Sequence, residues 1–244
     1  MLPILQIGPL ALPVPQFSIL LAFWLGISLA EKQAPRHGIS ADGLYNLVFT
    51  GLVAGLIGAR IGYVFQNLSA FIQSPLSLFS LNPGLLDVFS GIAIALLGMF
   101  IHGQRKKISF WHAVDALTPL LAVLAIGIAF AHIASGESFG SETNLPWGIN
   151  LWGVKRHPSQ FYELITAITI FSLITFSPKF NYKTGTTFLV FLALSATARL
   201  FLEAFQGDSL TILNGFRVPQ IIGWSVLAIV LPILDIINRK ATES

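Results

Sequence analysis

What most constrains this chain is the absence of charge over long apolar runs. No Asp, Glu, Lys, Arg or His stands between Met1 and Ala30, between Leu164 and Pro178, or between Val218 and Leu234. Such runs match a hydrocarbon core about 30 Å thick, which a helix of about 20 apolar residues crosses. With no water inside a bilayer, the backbone must satisfy its own hydrogen bonds, so helices or a closed barrel are the only choices. A barrel is excluded because the apolar segments are far longer than barrel strands and show no sustained alternation of period two. Hydrophobic residues make up 54% of the chain and charged ones 10%, against about 25% charged in a soluble domain. A soluble globular enzyme is thereby excluded, and the fold class is all-α: a polytopic helical membrane protein.

Apolar runs read against breaks at charge and at Pro/Gly clusters predict seven spans in one transmembrane domain covering 1–244. They lie at roughly 10–30, 44–66, 86–103, 112–134, 160–177, 185–206 and 219–237. Basic residues orient them. Lys32 and Arg36 follow span one, Arg105, Lys106 and Lys107 follow span three, Lys179 and Lys183 follow span five, and Arg239 and Lys240 lie in the tail. The opposite side holds only Lys155, Arg156 and Arg217, which places the N-terminus outside and the C-terminus in the cytoplasm. A cleaved signal peptide is disfavoured at the N-terminus. It shows no basic opening region, and Pro9, Pro13 and Pro15 interrupt the apolar stretch. The longest polar segment is the predicted outer loop at about 135–157, punctuated by Gly136, Gly140, Pro146 and Gly148. With 0 Cys, thiol chemistry and thiolate zinc sites are excluded. The net charge of +3 reports the placement of basic residues about the bilayer and gives no support to nucleic-acid binding.

Ionisable groups within spans are costly and mark candidate sites. Arg60 sits among two Gly-xxx-Gly spacings, Gly51/Gly55 and Gly58/Gly62. It is either a paired residue in a tight helix seam or a cation that grips phosphate or carboxylate. Arg199 and Glu203, four residues apart, form either a structural ion pair or an anion-orienting pair in a polar cavity. His157, Gln160, Tyr162 and Glu163 cluster at the start of span five behind Pro158. They make a well-formed helix entry or a headgroup contact. His132, near the end of span four, and Glu137 can act as base and orienter only if the helix ends between them; an interfacial His at a helix C-terminus is the plainer alternative.

Taken in order, several stretches carry a resemblance. They are Phe17 to Leu29, Gly55-Leu-Ile-Gly-Ala-Arg60-Ile-Gly-Tyr63, Phe89-Ser90-Gly91, Gly136-Glu137-Ser-Phe-Gly140 with Leu145-Pro146-Trp147-Gly148, Arg156-His157-Pro158-Ser159-Gln160-Phe161-Tyr162-Glu163, and Arg199-Leu-Phe-Leu-Glu203. The chain resembles the prolipoprotein diacylglyceryl transferase family over almost its whole length. The resemblance implies transfer of a diacylglyceryl group from phosphatidylglycerol to the lipobox cysteine thiol of a preprolipoprotein, with release of glycerol phosphate, in the bacterial cytoplasmic (inner) membrane. No metal or organic cofactor is implied. The resemblance implies cavity roles for Arg60, Glu137, Gly140, Arg199 and Glu203; with these, the expected catalytic set is His132, Glu137, Arg199 and Glu203, and the expected lipid-binding set is Arg60, Ser90, Gly140, His157, Gln160 and Tyr162.

The resemblance also shows departures. Ser90 stands where the family has a His, Ala129 where it has an Arg, His132 where it has an Asn, and Phe17 and Ser195 where it has Tyr. Two functions remain open. One is a divergent transferase in which His132 supplies the base. The other is a catalytically degenerate relative that serves as a lipid-binding or partner-binding membrane subunit. A channel or transporter is weaker, because no inverted repeat is visible.

Overall fold

The computed structural model describes residues 3–80, 82–176, 183–212 and 215–239. Lys179, Lys240 and the last residue of the predicted fifth span, Ser177, lie outside them. A short hairpin of β1 (Ile4–Ile7) and β2 (Leu10–Pro13) opens the chain, turning through Gly8 at φ +62°. Helices α1 (Val14–Gln33), α2 (Ala41–Gln66), a short α3 (Leu68–Gln73), α4 (Val88–Arg105) and α5 (Phe110–Ser135) follow. After the hairpin of β3 (Ile149–Leu151) and β4 (Val154–Arg156) come α6 (Ser159–Phe176) and α7 (Thr186–Leu202). The small hairpin of β5 (Thr211–Ile212) and β6 (Phe216–Arg217) leads into α8 (Val218–Arg239). Among the described residues, 7 helices are long and apolar enough to cross a membrane.

The seven predicted spans match α1, α2, α4, α5, α6, α7 and α8, with one difference worth explaining. Span one was expected from residue 10, but Leu10–Pro13 form a strand and the helix starts at Val14. Proline lacks the N–H a helix interior needs and biases the preceding residue toward extended backbone. Pro13 therefore ends the strand, while Pro15 falls in the first helical turn, where its missing donor matters least.

The chain divides into two compact units, with boundaries inside α1 and α5. One comprises Met1–Ala30 with Leu117–Ser244, the other Glu31–Ala116. In the second unit α2 and α4 pack through small residues. A Cβ on Gly58 would lie 2.4 Å from Ile94 Cβ, and one on Gly62 would lie 2.2 Å from Ser90 Oγ. The Gly-xxx-Gly stripes are thus a helix seam, as their spacing implies. Asp87 caps α4, accepting the Ser90 N–H at 2.7 Å. In the first unit Gly127 of α5 sits against Ala22 of α1, and Ala122, Ile170, Ile174 and Phe191 form an apolar core among α5, α6 and α7.

Candidate active site

The segment between α5 and α6 builds the site. Helix α5 ends at Ser135, and Gly136 turns the chain at φ +84°, a left-handed conformation that favours glycine. Ser138 also has a positive φ of 55° and is buried. Its hydroxyl donates to Glu163 Oε1 at 2.8 Å, and its carbonyl accepts the Ser159 hydroxyl at 2.6 Å. Strands β3 and β4 return through Trp152 (φ 52°) and Gly153 (φ 79°), consecutive positive-φ residues of the kind that close a two-residue hairpin. This return delivers His157 and Pro158 to the start of α6. Its first residues, Ser159 and Gln160, are buried, and the Gln160 amide donates to the Glu137 carbonyl at 3.2 Å.

Glu163, one turn into α6, is the hub. Its Oε2 meets His132 Nδ1 at 2.8 Å. Its Oε1 accepts Arg199 Nη1 at 3.0 Å, Gln206 Nε2 at 2.7 Å and the Ser138 hydroxyl. The guanidinium of Arg199 also donates from Nη2 to Gln206 Oε1 at 3.1 Å, and its Nε lies 3.2 Å from Glu203 Oε2. Neither oxygen of fully buried Glu203 meets hydrogen-bond geometry, so that pair holds by charge alone. Arg217 ties the same corner down, donating to the carbonyls of Glu203 and Gln206. An apolar cleft of about 230 Å³ opens beside this cluster. Ala129, His132, Glu163, Ser195 and Arg199 are among its lining residues. Glu163 engages His132 at Nδ1 and leaves Nε2 as the second ring nitrogen.

The candidates from sequence fall into three groups. His132, Arg199 and Glu203 come together. Glu137 does not orient His132: its carboxylate is exposed, and Glu163 takes the imidazole instead. The turn at Gly136 leaves the Glu137 side chain at the surface, while α6 brings Glu163 to hydrogen-bond distance of the ring.

The second group frames the site. Gly140 is buried, and a Cβ there would lie 2.1 Å from the His157 carbonyl oxygen, so its role is close backbone approach. His157 packs its ring on Phe205 at 5.2 Å, and Tyr162 accepts the Trp147 indole N–H at 2.9 Å. Gln160 lines a separate apolar groove of about 470 Å³ with Ser18, Phe130, Ile149 and Phe161.

The third group belongs to the other unit. There Arg60 donates to the carbonyls of Ser77, Leu78 and Leu85 and lies 5.8 Å over Phe71. Ser90 sits in the first turn of α4 against Gly62. Arg60 therefore organises the segment that joins α3 to α4.

Sequence reasoning underweighted Glu163 and missed Ser138 and Gln206. The signal for Gln206 was present, since Arg199, Glu203 and Gln206 recur at intervals of four and three. Nothing local marks Ser138. Among the described residues no group of three or more His, Cys, Asp and Glu is placed to hold a metal.

Residues 3–236 match the family described as prolipoprotein diacylglyceryl transferase. A relative from Clostridioides difficile, named phosphatidylglycerol–prolipoprotein diacylglyceryl transferase, is 34% identical over 199 residues, covering 81% of this chain and 79% of its own. Relatives of the same name from Nostoc sp. and Oceanobacillus iheyensis are 28% and 29% identical, covering 93% and 98% of this chain and 85% and 88% of theirs. With a match that runs through every helix and hairpin of the candidate site, this chain belongs to the prolipoprotein diacylglyceryl transferase family.

Proposed function

We propose that this chain transfers the diacylglyceryl group of phosphatidylglycerol to the lipobox cysteine thiol of a preprolipoprotein, in the bacterial inner membrane, with the N-terminus outside and the C-terminus in the cytoplasm. The observation that carries this reading is the His132–Glu163–Arg199 cluster at the mouth of an apolar cleft. His132 Nε2 takes the thiol proton, while Glu163 holds the ring at Nδ1 and stabilises the imidazolium that forms. The sulfur attacks the glyceryl carbon esterified to phosphate. The S–C bond forms as the C–O bond breaks, and glycerol phosphate leaves as an anion.

Arg199 spends one N–H of Nη1 on Glu163 and one of Nη2 on Gln206 while its Nε faces Glu203 as an ion pair, so a second N–H on each terminal nitrogen is left for the phosphate oxygens. The groove beside Gln160 offers an apolar berth for a donor acyl chain. Gly140, His157 and Tyr162 shape the outer wall. Glu137 stands at its exposed rim.

The test is complementation of a conditional transferase-null strain, read as conversion of a reporter preprolipoprotein to its lipidated form. Rescue by the wild type and loss in His132→Ala support the proposal. No rescue from folded, membrane-inserted protein overturns it.

One observation favours a second reading. Ala129 and Ser195, which replace a cation and a hydroxyl of the family pattern, both line the same cleft as His132 and Arg199. A degenerate relative that binds lipid or a membrane protein partner fits that pairing. Failure of Ala129→Arg with Ser195→Tyr to gain activity, together with stoichiometric co-purification of the wild type with another membrane protein, supports it. Rescue by the wild type ends it.

A further inference from the structure

The unit formed by Glu31–Ala116 holds a cavity, lined by polar and apolar groups alike, whose residues the proposed transfer mechanism does not call on. It measures about 590 Å³. Lys106 and Lys107 reach it from the turn after α4, His102 from the last turn of α4, His112 from the first turn of α5, and Asp42 and Asn46 from α2. Both lysines are exposed. His102 Nδ1 lies 3.1 Å from the Thr50 hydroxyl, whereas His112 Nδ1 is shut off from solvent without a partner among the described residues. Ser40 and Ser109 also line the cavity, so α2 and α5 both begin at its wall and add the positive ends of their dipoles. Two ammonium groups and two imidazoles therefore face one carboxylate, that of Asp42.

We infer that this cavity binds the phosphate group of a phosphate ester, either the headgroup of an anionic phospholipid or a soluble phosphate. Its chemistry fits a tetrahedral anion. Donors approach from three separate segments, and ammonium groups serve as point charges for phosphate oxygens. The volume exceeds that of a bare anion and leaves space for a glyceryl moiety. A basic cluster immediately after a membrane span also lies where an anionic leaflet supplies such headgroups.

The test is native mass spectrometry of the full chain in detergent, with dioctanoyl phosphatidylglycerol, dioctanoyl phosphatidylcholine and inorganic phosphate as probes. Lys106→Ala with Lys107→Ala is expected to weaken one bound equivalent of phosphatidylglycerol about thirtyfold. Lipid held elsewhere stays bound in wild type and variant alike. Asp42→Asn removes the opposing charge and is expected to tighten the same equivalent, which tests the inference even if the double variant folds poorly. The same variant effects on phosphatidylglycerol identify a lipid source. The same effects on inorganic phosphate alone identify a soluble source, and both support the site. Occupancy unchanged in both variants, or phosphatidylcholine bound as tightly as phosphatidylglycerol, overturns it.

Discussion

Glu163 meets Nδ1 of His132 at 2.8 Å across 31 residues of sequence, from one helix to another. The contact fixes which imidazole nitrogen remains for chemistry, and Arg199 on the other carboxylate oxygen holds Glu163 in turn. His132→Ala is expected to lower transfer about 10²- to 10⁴-fold, the range set by loss of a general base. Glu163→Gln is expected to act mainly on kcat, because the ring loses its orienting charge while the lipid surfaces remain. Lipidation of a fluorescent lipobox peptide, followed against phosphatidylglycerol concentration, separates kcat from KM. A Glu163→Gln enzyme with unchanged kcat would remove Glu163 from the mechanism.

Glu203 is fully buried and pairs with Arg199 Nε at 3.2 Å. Glu203→Ala leaves Arg199 without one of its two carboxylates, but that guanidinium is 38% exposed and keeps Glu163, so the expected loss is about 1–2 kcal/mol, below the range for stranding a fully buried charge. Thermal unfolding in detergent, compared with Glu203→Gln, distinguishes lost charge from lost volume.

Gly140 has no room for a methyl group, since backbone rather than a movable side chain stands 2.1 Å from where a Cβ would lie. Gly140→Ala must displace the chain at His157 or break the bridge between Gly140 and Gln206. Both flank the Glu163 cluster. Loss of transfer together with a lowered Tm is the expected outcome, whereas full activity would show that the segment between α5 and α6 rearranges freely.

Gly62 faces Ser90 across the α2–α4 seam, where a Cβ would come within 2.2 Å of the Ser90 hydroxyl. Overpacking at Gly62→Ala is expected to cost about 1–3 kcal/mol. Ser90→Gly in the same chain should recover much of that loss. A double-mutant cycle read by Tm reports the coupling, and simple additivity would argue against direct contact.

Asp87 caps α4, and its hydrogen bonds with the Ser90 side chain and backbone N–H and with Gln66 hold its carboxyl below the ordinary value of 3.8. A depressed carboxyl contributes stability that is fully present above the unfolded value and is lost as pH falls through the folded one. Asp87→Asn is therefore expected to flatten the acid limb of a Tm-against-pH profile below about pH 4 while leaving its slope near neutrality unchanged. An identical acid limb in wild type and variant would refute the assignment.

The sequence alone sets the class of the protein, the number of crossing helices and the surfaces that could pack closely. Hydropathy and Gly-xxx-Gly spacing are properties of contiguous residues, and the bilayer enforces them wherever they occur. It also determined which ionisable residues needed a partner, because charge inside a membrane cannot be left alone. Which groups became their partners followed from how the helices pack. His132 had Glu137 five residues away and took Glu163 instead, and Arg60 took the carbonyls of Ser77, Leu78 and Leu85. Gln206 and Ser138 joined the cluster from segments 68 residues apart. The physical reason is that a hydrogen bond is satisfied by whatever group the packed helices and the turn at Gly136 bring within about 3 Å, and no local pattern encodes that distance.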